Sequence, residues 1–168
     1  MTLAIRQESP SDITAIHALT KDAFLNTPHT AGTEQFIVDA LRNANALSMS
    51  LVAEEDGVIL GHVAISPVSI SDGASSWYSL GPISVIPEHQ RQGIGSKLMF
   101  EVLQRLKEKG ASGCVLVGDP AYYARFGFSQ EKRLVFPDVP SEYFQAISFS
   151  PPLPQGVVKF HEAFGAKG

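Results

Sequence analysis

Between residues 94 and 109 an apolar side chain returns every four positions, at Ile94, Leu98, Val102 and Leu106, with Met99 and Leu103 beside them. That period winds one buried stripe along a helix. Lys107, Lys109 and Gly110 suit its C-terminal end. Strand-like runs stand on both sides of it, residues 76–85 before and 113–119 after. Residues 50–70, SLVAEEDGVILGHVAISPVSI, read as a hairpin turning at Asp56-Gly57. A first short strand falls near residues 3–6. Ser9, Pro10 and Asp12 then open a helix by capping-box spacing, carried on by Ile13, Ile16, Leu19 and Ala23. A second helix starts near Thr33, with Phe36, Ile37, Ala40 and Leu41 on its apolar face. Helices interleaved with strands around a central hairpin predict an α/β fold, a mixed sheet flanked by helices.

The 168 residues suit a single domain over 1–168, with a core of residues 1–130 and a C-terminal extension, 131–168, that wraps it. A formal net charge of -4 and a pI near 5.7 argue against nucleic acid as the main partner. No apolar run approaches the roughly 20 residues that cross a bilayer, so no membrane partner is expected. The N-terminus lacks the apolar segment of a signal peptide. Cys114 is the one cysteine, which leaves no internal disulfide and no thiolate metal cluster. A cytoplasmic protein without a metal is the expectation.

The long helix opens on Gly93 and Gly95, with Gln90, Arg91 and Gln92 just ahead. A helical glycine costs up to about 1 kcal/mol relative to alanine. An anionic ligand would explain two of them. First-turn N–H groups lack intrahelical partners and lie at the positive end of the dipole. A phosphate takes their hydrogen bonds if side chains stand clear. Ile94 can turn into the core between the glycines, and Arg91 and Gln90 add donors. A plain strand-to-helix turn uses the same glycines, and G-x-G alone does not separate the two readings. The spacing G-I-G-S-K excludes a Walker loop. A dinucleotide fingerprint lacks its third glycine, Leu98 standing there, although Asp119 ends the next strand where a ribose-binding acid would lie.

PISVIPEHQRQGIGSKLM, residues 82–99, resembles the acyl-CoA-binding signature of the GNAT family of N-acetyltransferases. That signature is a strand, a Pro-bearing turn, Q/R-x-x-G-x-G/A and a helix, and Gln90, Gly93 and Gly95 fill its defining places. PAYYARFGF, residues 120–128, is similar to the family's later motif, a tyrosine four residues before Gly-Phe, matched by Tyr123, Gly127 and Phe128. The likeness is specific over residues 76–128 and topological over 1–75. The whole chain resembles a bacterial branch of uncharacterised N-acetyltransferases. The resemblance implies acetyl-CoA as cosubstrate. The strand Ile83, Ser84 and Val85 would hold the pantetheine arm. The loop Gln90, Arg91, Gln92 and Gly93, the helix start Ile94, Gly95 and Ser96, and Tyr123 complete the cofactor site. It also implies that this strand splays from the next. Pro82, which cannot donate to a ladder, independently predicts a bulge or opening there. Many relatives carry Asn shortly before the tyrosine, where this chain has Asp119-Pro120.

The implied reaction moves an acetyl group to a primary amine by direct attack on the thioester. The amine must lose a proton, a strand amide near Val85 would receive the carbonyl charge, and Tyr123 would serve as general acid to the thiolate. Glu54 or His62, in the hairpin, is the candidate base. The alternatives are a solvated hairpin end for Glu54, a hydrogen-bonded strand histidine for His62 and aromatic packing for Tyr123. Cys114 reads as a core residue, and direct transfer has no need of it. A non-catalytic acyl-CoA-binding or sensing domain is the rival function. The amine acceptor carries no signature. His29, Thr30, Thr33 and Glu34 are candidate contacts, and the aromatic tail either covers the acceptor side or builds a homodimer.

Overall fold

The computed structural model describes residues 2–25 and 32–168. His29 and Thr30 lie outside the described residues. Strand β1 (Ala4–Gln7) leads through a 3-10 turn, Pro10–Asp12, into helix α1 (Ile13–Phe24). The capping box forms as its spacing predicts, one carboxylate oxygen of Asp12 accepting from the Ser9 N–H at 2.8 Å. Helix α2 (Glu34–Asn43) begins one residue after Thr33. The hairpin is β2 (Met49–Glu55) and β3 (Val58–Ile70), turning at left-handed Asp56 and Gly57.

Strand β4 (Trp77–Val85), helix α3 (Ile94–Lys109) and strand β5 (Gly113–Val117) follow. The stripe Ile94, Leu98, Met99, Val102, Leu103 and Leu106 is buried throughout, at about 2 kcal/mol per large side chain. Gly110 ends α3 with φ 89°. Its N–H bonds Lys107 O at 3.0 Å and the next N–H, of Ala111, bonds Leu106 O at 3.0 Å. That pair of bonds is a Schellman cap. Beyond β5 come a single helical turn α4 (Pro120–Tyr123), then β6 (Leu134–Val135), β7 (Phe144–Ser148) and β8 (Gly156–Phe160).

The sheet runs β1-β2-β3-β4-β5-β7, antiparallel except for the parallel β4–β5 pair. A strand–helix–strand crossover demands that parallel pair. Strand β8 pairs with the last residues of β3, Val68–Ile70, and carries β6 on its other edge. Side chains of β2 alternate. Leu51 and Ala53 join the core under α3, while Val52 meets Ile16 of α1 and Val38 of α2 on the opposite face.

Two irregularities in β4 position everything that follows. Opposite β3 the register steps from Val63–Ile83 to Ile65–Leu80, so Gly81 and Pro82 share the place of one residue facing Ala64. This is the bulge that Pro82 predicts. On its other edge β4 pairs with β5 only over Trp77–Ser79. From Leu80 onward the two strands part and leave a gap.

Candidate active site

The freed backbone in the gap needs partners. Gln90 supplies one, its Nε2 donating to Val85 O at 3.0 Å. It therefore closes the strand end instead of reaching outward as a spare donor. Ile86 N–H donates to Leu60 O on β3 at 2.9 Å. By strand alternation the N–H of Val85 points the other way, into the gap.

A cleft of about 490 Å³ lies between this edge and the start of α3. Its walls include Ile83, Ser84 and Val85 from the strand, Gln90, Arg91 and Gly93 from the loop, and Ile94, Gly95 and Ser96 from the helix. Gln92 is not among them; its Oε1 sits 3.3 Å from His89 Nδ1. Arg91 and Gly93 both have left-handed backbones, φ 66° and 86°. Gly93 is the helix N-cap, and a Cβ there would meet nothing within 4 Å. The position is open to a bulky group, and its φ suits glycine. A Cβ on Gly95 would stand 3.3 Å from the Tyr122 hydroxyl, so that glycine keeps the helix mouth and α4 close. His89, Tyr122 and Arg125 also line the cleft. Arg125 lies over the Tyr122 ring at 4.7 Å. No Asp or Glu among the described residues lines this cleft, so its charge is positive. With helix N–H groups at its floor it suits an anion.

Tyr123 stands where α4 meets the gap. Asp119 caps that turn, accepting from Ala121 N–H at 3.0 Å, which fixes the tyrosine's place. Tyr123 packs edge-on against Tyr122, with ring centroids 4.8 Å apart, and against Phe128 at 6.3 Å. Gly118 seats its ring, for a Cβ at 118 would enter the ring edge. Burial first, then the neighbouring Tyr122 and Asp119, push the phenol up to about 12. It therefore keeps its proton, and its capacity to donate, across the physiological range.

A second cleft, of about 860 Å³, opens on the other side of the gap. Leu80, Gly81, Pro82, Ile83 and Val117 form its inner edge, and Ile83 and Tyr123 belong to both clefts. Phe24 and Glu34 close one side, and residues 136–139, 157–162 and Phe164 the other. Phe136, Phe160 and Phe164 of the tail thus stand on this wall, while Tyr143, Phe144 and Phe149 do not line it.

Glu54 and His62 line neither cleft. Glu54 takes two hydrogen bonds from Arg6, at 3.1 and 3.3 Å, on the β1–β2 edge. His62 is fully buried on the α1–α2 face of the sheet. Its Nε2 meets Ser50 Oγ at 2.7 Å; Ser50 in turn donates to Glu8, which Arg42 grips at 2.8 Å. Desolvation, with the Arg42 charge, outweighs Glu8 and depresses the imidazole to about 4. The expectation that one of these two faces the gap is corrected by their places. Period-two alternation turns His62 away from α3, and an Arg far off in sequence captures Glu54. Cys114 is buried in the core, its thiol pushed up by desolvation. The cleft residues that sequence reasoning did not assign to the cofactor site are His89 and Tyr122; the seat that Gly118 gives the Tyr123 ring was also missed. Both cleft residues stand inside quoted motifs, His89 in PISVIPEHQRQGIGSKLM and Tyr122 in PAYYARFGF.

A basic cleft at a glycine-opened helix, beside a splayed parallel pair and a half-buried tyrosine, is the arrangement that the acyl-CoA-binding resemblance implies. A family model for the acetyltransferase (GNAT) domain matches residues 4–130. The chain belongs to the GNAT acetyltransferase family. It is 34% identical over 170 residues to the uncharacterized N-acetyltransferase YhbS of Escherichia coli (strain K12), covering 96% of this chain and 98% of that one. It is similar to a GNAT family acetyltransferase from Brucella melitensis, solved in complex with acetyl-CoA, at 48% identity and a TM-score of 0.87 over 97% of this chain and 98% of that one. It is also similar to Escherichia coli YhbS solved with CoA, at 32% identity and a TM-score of 0.88 over 99% and 93% of the two chains.

Proposed function

We propose that this protein transfers the acetyl group of acetyl-CoA to a primary amine, with the basic cleft as donor site and the larger cleft as acceptor site. The observation that carries the reading is the double membership of Tyr123 and Ile83, which border both clefts at the gap. The relatives bound to acetyl-CoA and CoA support the donor. Arg91, Arg125 and the N–H groups from Gly93 to Ser96 hold the phosphates. Ile83, Ser84 and Val85 line the path of the pantetheine arm. Acetyl-CoA supplies a thioester: the amine nitrogen forms the N–C bond, the C–S bond breaks, CoA leaves as a thiol, and the substrate ammonium releases one proton overall.

The Val85 N–H, aimed into the gap, is the donor for charge on the carbonyl oxygen. Tyr123 donates a hydrogen bond to the departing sulfur. Its raised pKa makes it a firmly held donor and a weaker acid than an ordinary phenol. The ammonium's proton leaves through the open cleft, and neither Glu54 nor His62 stands there to take it. A metabolite of the cell interior as donor puts the proposed activity in the cytoplasm. No helix among the described residues is long and apolar enough to cross a membrane.

Calorimetric titration with acetyl-CoA tests the donor site. Wild type binds with micromolar affinity, about 8 kcal/mol. Gly93→Val, which remains folded by circular dichroism, loses at least about tenfold because a β-branched residue resists φ 86° at the helix mouth. No binding to folded wild type would refute the donor assignment.

A further inference from the structure

The larger cleft differs from the donor cleft in charge and in lining. Among the described residues three carboxylates, Glu34, Asp138 and Glu162, stand on its walls against one ammonium, Lys159, with His161 and Tyr123 as the other titratable groups. Glu34 is half-buried in the first turn of α2, while Asp138 and Glu162 are exposed at the rim. Beneath them the surface is apolar. Phe136 and Phe160 stack at 4.5 Å and 15°, and Phe164 meets Phe160 edge-on at 5.1 Å. All three rings are half-buried and Phe24 faces them across the cleft. Val117 and Val157, 41% and 48% exposed, continue the floor. A volume of about 860 Å³ matches cavities that hold drug-sized molecules.

Resting on the acetyltransferase reading above, we infer that the acceptor is a small primary amine on an aromatic or comparably bulky apolar body, held by Glu34 at its ammonium and by Phe136, Phe160 and Phe164 at its body. Aromatic faces attract a cation and bury an apolar group at once. A polyamine or an amino sugar would leave this apolar floor against water. A protein lysine offers only a thin aliphatic stem to a cleft of this width. Tyr123 and the β4 bulge, which border the same cleft as Glu34, mark the end where the nitrogen meets the acetyl group.

The test measures kcat/KM from CoA thiol release, with mass detection of the product, for phenethylamine, tryptamine and hexylamine against spermidine, kanamycin and an N-acetylated lysine peptide. The three apolar amines are expected to exceed the polar ones by about tenfold or more. Glu34→Gln raises KM for phenethylamine about tenfold with little change in kcat. Val157→Lys, on an exposed floor position where folding is safe, lowers kcat/KM for the apolar amines at least as far. Acetyl-CoA affinity, measured in parallel, stays at the wild-type value in both. Acetyl-CoA binding with preference for polyamine, amino sugar or peptide, or with no turnover of any apolar amine, overturns this inference and leaves the donor site standing. Failure to bind acetyl-CoA overturns both. An unchanged KM in Glu34→Gln overturns the role of that carboxylate.

Discussion

A methyl group at position 118 would occupy the edge of the Tyr123 ring, so the smallest substitution there displaces the phenol without removing it. Gly118→Ala is expected to lower kcat by roughly 10²-fold, close to the loss in Tyr123→Phe, because both remove a positioned donor. Steady-state kinetics with acetyl-CoA affinity in parallel checks this. A Gly118→Ala enzyme with wild-type kcat would mean that the hydroxyl has no part in the reaction. Tyr123 was legible because its distance from Gly127-Phe128 is a local pattern. Its seat was not, since a close approach between a strand end and the following turn leaves no mark in spacing. Glu54 shows the converse. Its residue type invited a catalytic role, and the partner that removes it, Arg6, lies 48 positions away.

Arg6 also ties elements together. It bridges Asp12 at 2.7 Å, at the entry to α1, and Glu54 at 3.1 Å, on β2. The guanidinium, helped by hydrogen bonds from Ser9, holds the Asp12 carboxyl at about 2 against the opposing effect of burial. A depressed carboxyl stabilises the fold above its unfolded pKa near 4 and loses that contribution as the pH falls toward 2. Asp12→Asn should therefore cost about 2 kcal/mol at pH 7 and abolish the part of the acid transition lying between pH 4 and 2. Urea unfolding at several pH values measures both, and parallel pH profiles for the two proteins would exclude the effect. At this scale the sequence was most informative. The four-residue period wrote α3, Asp56-Gly57 wrote the hairpin and Pro82 wrote the bulge. The pairing of β8 with the end of β3 was illegible, because it joins segments some ninety residues apart by backbone bonds that any side chains permit.

For the molecule as a whole, His62 sets a limit on acid tolerance. It is neutral when folded, with a pKa near 4, and takes a proton near pH 6.5 once unfolded. Acidification from 6.5 to 4 thus favours the unfolded chain by about 1.4 kcal/mol per pH unit, about 3 kcal/mol in all, and the loss ends below pH 4. His62→Gln keeps a polar partner for Ser50 and should flatten the dependence of Tm on pH across that window. An equal slope in the variant would assign the acid lability to other groups. The division of charge is likewise a property of the whole: a cationic cleft for phosphates and an anionic one for an ammonium share only the gap in the sheet.

That gap also partitions heredity. The donor cleft is written in one unbroken passage of chain, residues 83–125. The far wall of the acceptor cleft is written after residue 135, beyond the stretch 4–130 that the family model matches. A lineage can redraft its choice of amine in the tail while the text for acetyl-CoA is copied unchanged.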